Sequence, residues 1–202
     1  LDPGLIELFV DGKEDGLPDA GRLDLLGLGS GSVVFMLHRL GWRLEACGSA
    51  ITLSEDGLVA TQTGYSYQLA TGGSPMTEGR HYWEVEVSGP SVFVGAVRPG
   101  LDHDKIHYNG NDAYFIDGHF GSLFGNGKSN ADPQGKFATG DRIGVLLDLD
   151  AGWMRLYRNG KRCGPGFTEG RTGPLVRAAQ RGHLGNQRLV RPGAFASECR
   201  RA

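Results

Sequence analysis

The chain has 202 residues, enough for one large all-β domain or a medium domain with a short appendage, and its 34 glycines and 9 prolines imply many tight turns rather than disorder. With 21 Lys and Arg against 23 Asp and Glu, the formal charge of -2 supplies no chain-wide field for nucleic acid or an anionic membrane, so a charged partner must be met locally. Cys47, Cys163 and Cys199 are odd in number, widely spaced and free of any CxxC pair, which argues against a disulfide framework or a zinc site and fits a reducing compartment.

Residues 1 to about 40 read as a short strand, a DGK turn, a loop and an apolar strand at Val33 to Leu37. The opening LDPGLIELFVDG lacks the basic-then-apolar pattern of a signal peptide, no apolar run reaches the roughly 18 residues of a membrane span, and the start at Leu1 suggests a piece of something longer. From Gly41 to about Val190 short strands alternate with turn clusters at the roughly 8–12-residue spacing of a sandwich or barrel. Ile51 to Leu53 and Leu58 to Thr61 flank an EDG turn and form the first hairpin. In the next strand His81, Trp83, Val85 and Val87 share the inward face, while Tyr82, Glu84 and Glu86 make a polar outer one. Ser91 to Val97 is almost wholly small or apolar, hence a central strand.

Later, Ile143, Val145, Leu147 and Leu149 face the same core as Met154 and Leu156, joined by a turn at Asp148 to Gly152. Asn159-Gly160 reverses the chain again, and the last strands fall around Leu175 to Ala179 and Arg188 to Val190. No segment carries a sustained 3.6-residue period, so helices are few and short. Residues 191–202 form a basic tail, a solvated end or a contact for acidic partners.

Several of these segments resemble the SPRY domain family. GRHYWEVEV (79–87), Val94-Gly95-Ala96, the GDRIGVLLDL stretch from Gly140, the Asp150 to Gly160 hairpin and Gly173-Pro174-Leu175 occur in the family's order, and LSEDGLVATQTG (53–64) matches its lead-in. Arg177 departs from the pattern, standing where many members carry proline. The resemblance implies an all-β, two-sheet antiparallel β-sandwich of SPRY type, with a concanavalin-like jelly-roll arrangement, over residues 41–190. It also implies a non-catalytic protein-protein interaction module whose loops at one edge bind a peptide or protein. Residues 5–40 resemble the C-terminal half of a ubiquitin-like fold, the other reading being an extra hairpin on the main domain. The expected setting is a larger intracellular adaptor or ubiquitin-pathway protein in the cytoplasm, with no cofactor, nucleic acid or membrane partner.

Candidate contact residues sit in two loops. Arg98 to Phe115, RPGLDHDKIHYNGNDAYF, is the longest stretch without strand periodicity and mixes aromatic, charged and amide groups. Tyrosine offers contact area at small entropic cost, and Asn and Arg can fix a peptide backbone or carboxylate, which selects Arg98, Asp102, Tyr108 and Asn109. A second loop, Thr63 to Thr77, holds Tyr65 and Tyr67 and is expected to approach the first; Tyr65 fits a core or edge position equally well. Trp153, opposite in parity to Met154 and Leu156, points outward as a hot spot or is covered by a loop or the N-terminal segment.

Two other chemistries are weighed. Asp102, His103, Asp104 and His107 have metal-ligating side chains but no spacing that sets a geometry, leaving a metal-dependent hydrolase of the 102–107 loop as an alternative beside a lectin-like glycan-binding sandwich. GNGKS (125–129) lacks the first glycine of a phosphate-binding loop, and no nucleophile lies in an activating motif.

Overall fold

The computed structural model describes residues 6–10, 34–38, 44–63, 66–131, 133–168, 174–181 and 187–190. The chain divides into two compact units, Leu1–Gly41 and Trp42–Ala202. In the first, β1 (Ile6–Val10) pairs antiparallel with β2 (Val34–His38), from Ile6 opposite His38 to Val10 opposite Val34. The expected DGK turn and the loop after it lie outside the described residues.

The second unit contains two seven-stranded antiparallel sheets and, among the described residues, no helix. Its strands are β3 (Leu44–Cys47), β4 (Ile51–Leu53), β5 (Val59–Gln62), β6 (Gln68–Met76), β7 (Arg80–Glu86), β8 (Val92–Val97) and β9 (Ala113–Asp117). There follow β10 (Ser122–Gly125), β11 (Lys128–Ala131), β12 (Arg142–Asp148), β13 (Trp153–Arg158), β14 (Lys161–Arg162), β15 (Leu175–Arg181) and β16 (Gln187–Val190). The first sheet runs β11-β10-β9-β8-β15-β6-β3 and the second β14-β13-β12-β7-β16-β5-β4.

Alternation in the strands produces the core. Trp83 and Val85 face Ile143, Val145, Leu147, Met154 and Leu156 from within the second sheet, and Val94, Ala96, Tyr114, Ile116 and Leu123 complete the layer from the first. All are nearly inaccessible, which at roughly 25 cal/mol per Å² of apolar surface makes this layer the main source of stability. The predicted β12–β13 pairing holds in register, Leu147 opposite Met154 and Val145 opposite Leu156.

Several expectations need correction. The Thr63–Thr77 segment is mostly strand β6: Ala70 to Gly72 pair with β15 on one side and β3 on the other, and pairing resumes at Met76 after a register shift that takes up Gly73, Ser74 and Pro75. The Arg98–Phe115 loop ends at Asp112, and Ala113, Tyr114 and Phe115 are buried in β9. Glu84 is not part of an open polar face: it is 6% exposed and accepts a hydrogen bond from the Tyr82 hydroxyl at 2.6 Å. Arg177 lies on a central strand between β6 and β8, where a register shift on the β6 side loosens the ladder at the position that proline takes in the family.

Two motif residues have geometric explanations. A Cβ added at Gly95 would stand 1.9 Å from the Tyr114 carbonyl oxygen, so the V-G-A strand can approach its neighbour only as glycine. Asp141 ties the entry of β12 to the exit of β13: its Oδ2 accepts the Ala138 N–H at 2.6 Å and the Arg158 guanidinium at 2.7–2.8 Å, and its Oδ1 accepts the Asn159 amide at 2.8 Å. Burial alone would raise the Asp141 carboxyl; these three partners outweigh burial and hold it below the ordinary carboxylate range.

Gly95→Ala should therefore lose about 2–3 kcal/mol in urea unfolding, and an unchanged midpoint would contradict the close approach. A depressed folded-state pKa contributes stability above the unfolded value of about 3.9, lost as pH falls through the folded value. Asp141→Asn should thus melt below the wild type near neutral pH, the gap narrowing once pH drops below about 4; a gap that persists at acid pH would assign the loss to something other than charge.

Candidate partner-binding surface

The first sheet is apolar on both sides. Its inner face joins the main core, while Leu69, Phe93, Val97, Ala113, Phe115, Val176 and Ala178 form a second buried cluster on the outer face. Left open, that cluster would be a large exposed patch. The segment 98–112 folds over it, and Leu101 and Tyr108 pack on it together with Tyr67 and Phe124. Phe93 and Tyr108 stack with centroids 4.6 Å apart and planes 8° from parallel. Phe124 meets both rings edge-on, at 5.6 Å and 5.7 Å, and Tyr67 tilts against Tyr108 at 5.3 Å. Burial, followed by the Tyr108 hydroxyl and Asp117, pushes the Tyr67 phenol above its usual value, so it is neutral at physiological pH.

A loop lying on a sheet face must satisfy its own backbone groups; one buried glutamine, Gln180, does so, and a second, Gln68, holds the loop by a side chain. Gln180, 0% exposed, accepts the His107 and Tyr108 N–H groups through Oε1 at 3.0 Å each and donates through Nε2 to the Lys105 carbonyl at 2.8 Å. Gln68 donates to Asp104 Oδ1 at 2.6 Å and accepts the Ala50 N–H at 2.6 Å, while Ser49 donates to the same Asp104 oxygen from its N–H and its hydroxyl. The Leu69 N–H reaches the His103 carbonyl at 2.9 Å, and the Arg98 N–H reaches the Asp112 carbonyl at 2.8 Å, closing the base of the loop.

The loop's ionisable groups are employed in the same way. Asp102 accepts the Asp104 N–H at 3.0 Å and pairs with Lys105 at 3.0 Å, and these contacts, the N–H first, hold its carboxyl below the usual range. The His107 ring meets the Asp102 carbonyl at 2.6 Å and the His103 ring meets the Thr71 hydroxyl at 2.8 Å. Among the described residues no three His, Cys, Asp or Glu side chains converge as a metal site would require.

Of the residues selected from sequence, Tyr67 and Tyr108 come together, half-buried, with Arg98 half-buried at the loop's base and Asp102 and Asn109 exposed on it. Tyr65 lies outside the described residues. Trp153 has the predicted outward parity but belongs to the second sheet, where Arg155 and Arg80 stand 4.4 Å and 5.8 Å from its ring, so it does not join the tyrosines. Sequence reasoning missed Phe93, Phe124 and Gln180. The alternation in β8 marks Phe93 as facing away from Val92 and Val94, but nothing local marks Gln180, whose partners lie more than seventy residues away. It also passed over Ile106, which is 51% exposed in the loop.

Comparison with known proteins agrees with this architecture. The SPRY domain family profile matches residues 80–187, just over half of the chain. SPRY domain-containing SOCS box protein 3 of Xenopus laevis is 28% identical over 142 residues, which are 63% of this chain but 39% of the relative. The SPRY domain of human HERC1 superposes with a TM-score of 0.66 at 18% identity, covering 77% of this chain and 99% of that domain. The TRIM65 PSpry domain superposes with a TM-score of 0.55 at 17% identity, covering 75% of this chain and 88% of that one. Proteins with this domain generally serve in protein interaction rather than catalysis. With the family's motifs in order on a two-sheet sandwich, the chain belongs to the SPRY domain family.

Proposed function

We propose that the chain is a non-catalytic module that binds a peptide or protein through the 98–112 loop and the aromatic cluster beneath it, as part of a larger intracellular adaptor or ubiquitin-pathway protein. The carrying observation is Ile106. A large apolar side chain stands 51% exposed between Lys105 and His107, whose backbone groups Gln180 holds fixed. An exposed apolar side chain on a preorganised support loses little conformational entropy on binding and gives a partner an anchor point. Tyr108 and Asn109, close by in the chain, and Arg98 at the base of the loop supply hydrogen-bonding groups on the same crossing.

A glycan site calls for an open aromatic platform beside Asp and Asn. Here one face of Tyr108 is stacked on Phe93, and Tyr67 and Phe124 crowd its edges, which favours the peptide reading. The adaptor setting rests on the roles the family often serves.

Selection of a displayed peptide library on the immobilised chain tests the surface. Selected peptides should bind Ile106→Asp and the Arg98→Ala, Tyr108→Ala double variant at least about tenfold more weakly than wild type, the loss typical of a central anchor residue. Undiminished binding to both would place the site elsewhere. Gln180→Leu leaves the Lys105 carbonyl and the His107 and Tyr108 N–H groups unpaired, so it should speed amide exchange across 105–108 and weaken the same peptides; exchange as slow as in wild type would show that the glutamine does not hold the loop.

A further inference from the structure

One row of outward side chains crosses the first sheet at the end where the loop lies. Ser122 is opposite Asp117, Asp117 opposite Phe93, Phe93 opposite Gln180, and Gln180 opposite Leu69. All five are buried. Leu69 and Phe93 need no polar partner, and both polar atoms of the Gln180 amide are engaged by the loop backbone. Ser122 and Asp117 stand apart from this arrangement.

The Ser122 side chain is 0% exposed, and its hydroxyl has no hydrogen-bond partner among the described residues. Asp117 is 4% exposed, and its Oδ2 accepts the Phe120 N–H at 3.0 Å. No Lys or Arg among the described residues forms an ion pair with it; the nearest basic side chain acting on it is the exposed imidazole of His119, in the following turn. Burial pushes the carboxyl up despite the Phe120 and His119 N–H groups. A buried carboxylate without a cation costs stability, and the turn does not require the charge, since an asparagine oxygen would accept the Phe120 N–H equally well.

The surroundings suit a cation. Phe93, the cross-strand neighbour of Asp117, is stacked on Tyr108, and Phe124 stands edge-on to both. A desolvated carboxylate among aromatic rings favours a planar cation that is weakly hydrated and can donate several hydrogen bonds at once, and the orphaned hydroxyl can accept one more. Tyr67, Tyr108 and Phe124 are half-buried around this spot, while His119 and Phe120 in the β9–β10 turn are exposed beside it.

We propose that Asp117 and Ser122, walled by Phe93, Tyr108 and Phe124, receive an arginine side chain of the bound partner. This rests on the reading of the outer face as the partner-binding surface and adds the chemistry of one position in the ligand. It also accounts for a buried acidic group that the fold itself does not need.

The test uses the same selection, on wild type and on Asp117→Asn, which keeps the acceptor for the Phe120 N–H and should melt no lower than wild type. Wild-type selections should fix an arginine at one position. Replacing that arginine by its neutral isostere citrulline should weaken binding about tenfold or more, and in Asp117→Asn the two peptides should bind alike. Ser122→Ala should reduce the same discrimination in part. Peptides that depend on Tyr108 but carry no basic position, or that lose nothing with citrulline, would overturn this inference and leave the interaction surface standing. If wild type selects no peptide, the reading of the surface fails, and titration with N-acetyl-arginine amide then decides the subsite. Shifts of the Phe120 and Ser122 amides that vanish in Asp117→Asn would sustain it, and their absence would overturn it.

Discussion

Burial of the first sheet on both faces is the constraint from which the candidate site follows. A sandwich sheet ordinarily turns one face to water, yet all six residues of β8 are buried, with Val92, Val94 and Ala96 facing the main core and Phe93 and Val97 the second cluster. The outer apolar face has to be covered, and a loop covering it brings backbone polar groups to a place with little water. Gln180 resolves that conflict by offering its buried amide to the loop backbone in place of solvent, and Gln68 fastens the loop through the Asp104 carboxylate. A fully satisfied polar network in a low-dielectric setting is rigidifying, so the cover becomes a defined surface carrying Ile106 and the edges of Tyr67 and Tyr108.

The second sheet solves its outer face differently. Asp148, 2% exposed, pairs with Arg80 directly across the β7–β12 ladder and accepts the Ala151 N–H in the following turn at 2.7 Å. Arg80 and Arg155 lie by the ring of Trp153, and Tyr82 approaches Tyr157 edge-on with centroids 6.5 Å apart. Side chains of adjacent strands cover one another there without a long crossing. The β12–β13 hairpin therefore gives stiffness, while the long crossing between β8 and β9 gives a shaped surface.

The difference between the two sheets also separates what was readable from what was not. Alternation alone assigns Trp83, Val85, Ile143, Leu147 and Leu156 to one core, and all five are buried in it. The DG and NG turns were legible because few residue pairs accept positive φ, as Gly57 and the Asn159-Gly160 pair do. Strand β6 is hidden in the sequence because its glycines, serine and proline speak for a turn, and only the pairing of the residues around them with β3 and β15 makes the segment a strand. Ala113 to Phe115 read as loop in the sequence because an unbroken apolar run has no period to distinguish it.

By itself the sequence determined the two pleated layers, their main turns and the family, since these depend on side-chain alternation and turn chemistry within a few residues. It also brought Tyr67 and Tyr108 into one proposal, because both stand in loops at the same edge of the expected topology. Only the tertiary structure decided that Trp153 lies on the other sheet, that the 98–112 loop is fastened by Gln68 and Gln180, and that Asp117 sits buried beside Phe93. The reason is physical: each of those facts is a contact between strands or loops distant in the chain, and a residue type carries no record of what will fold against it.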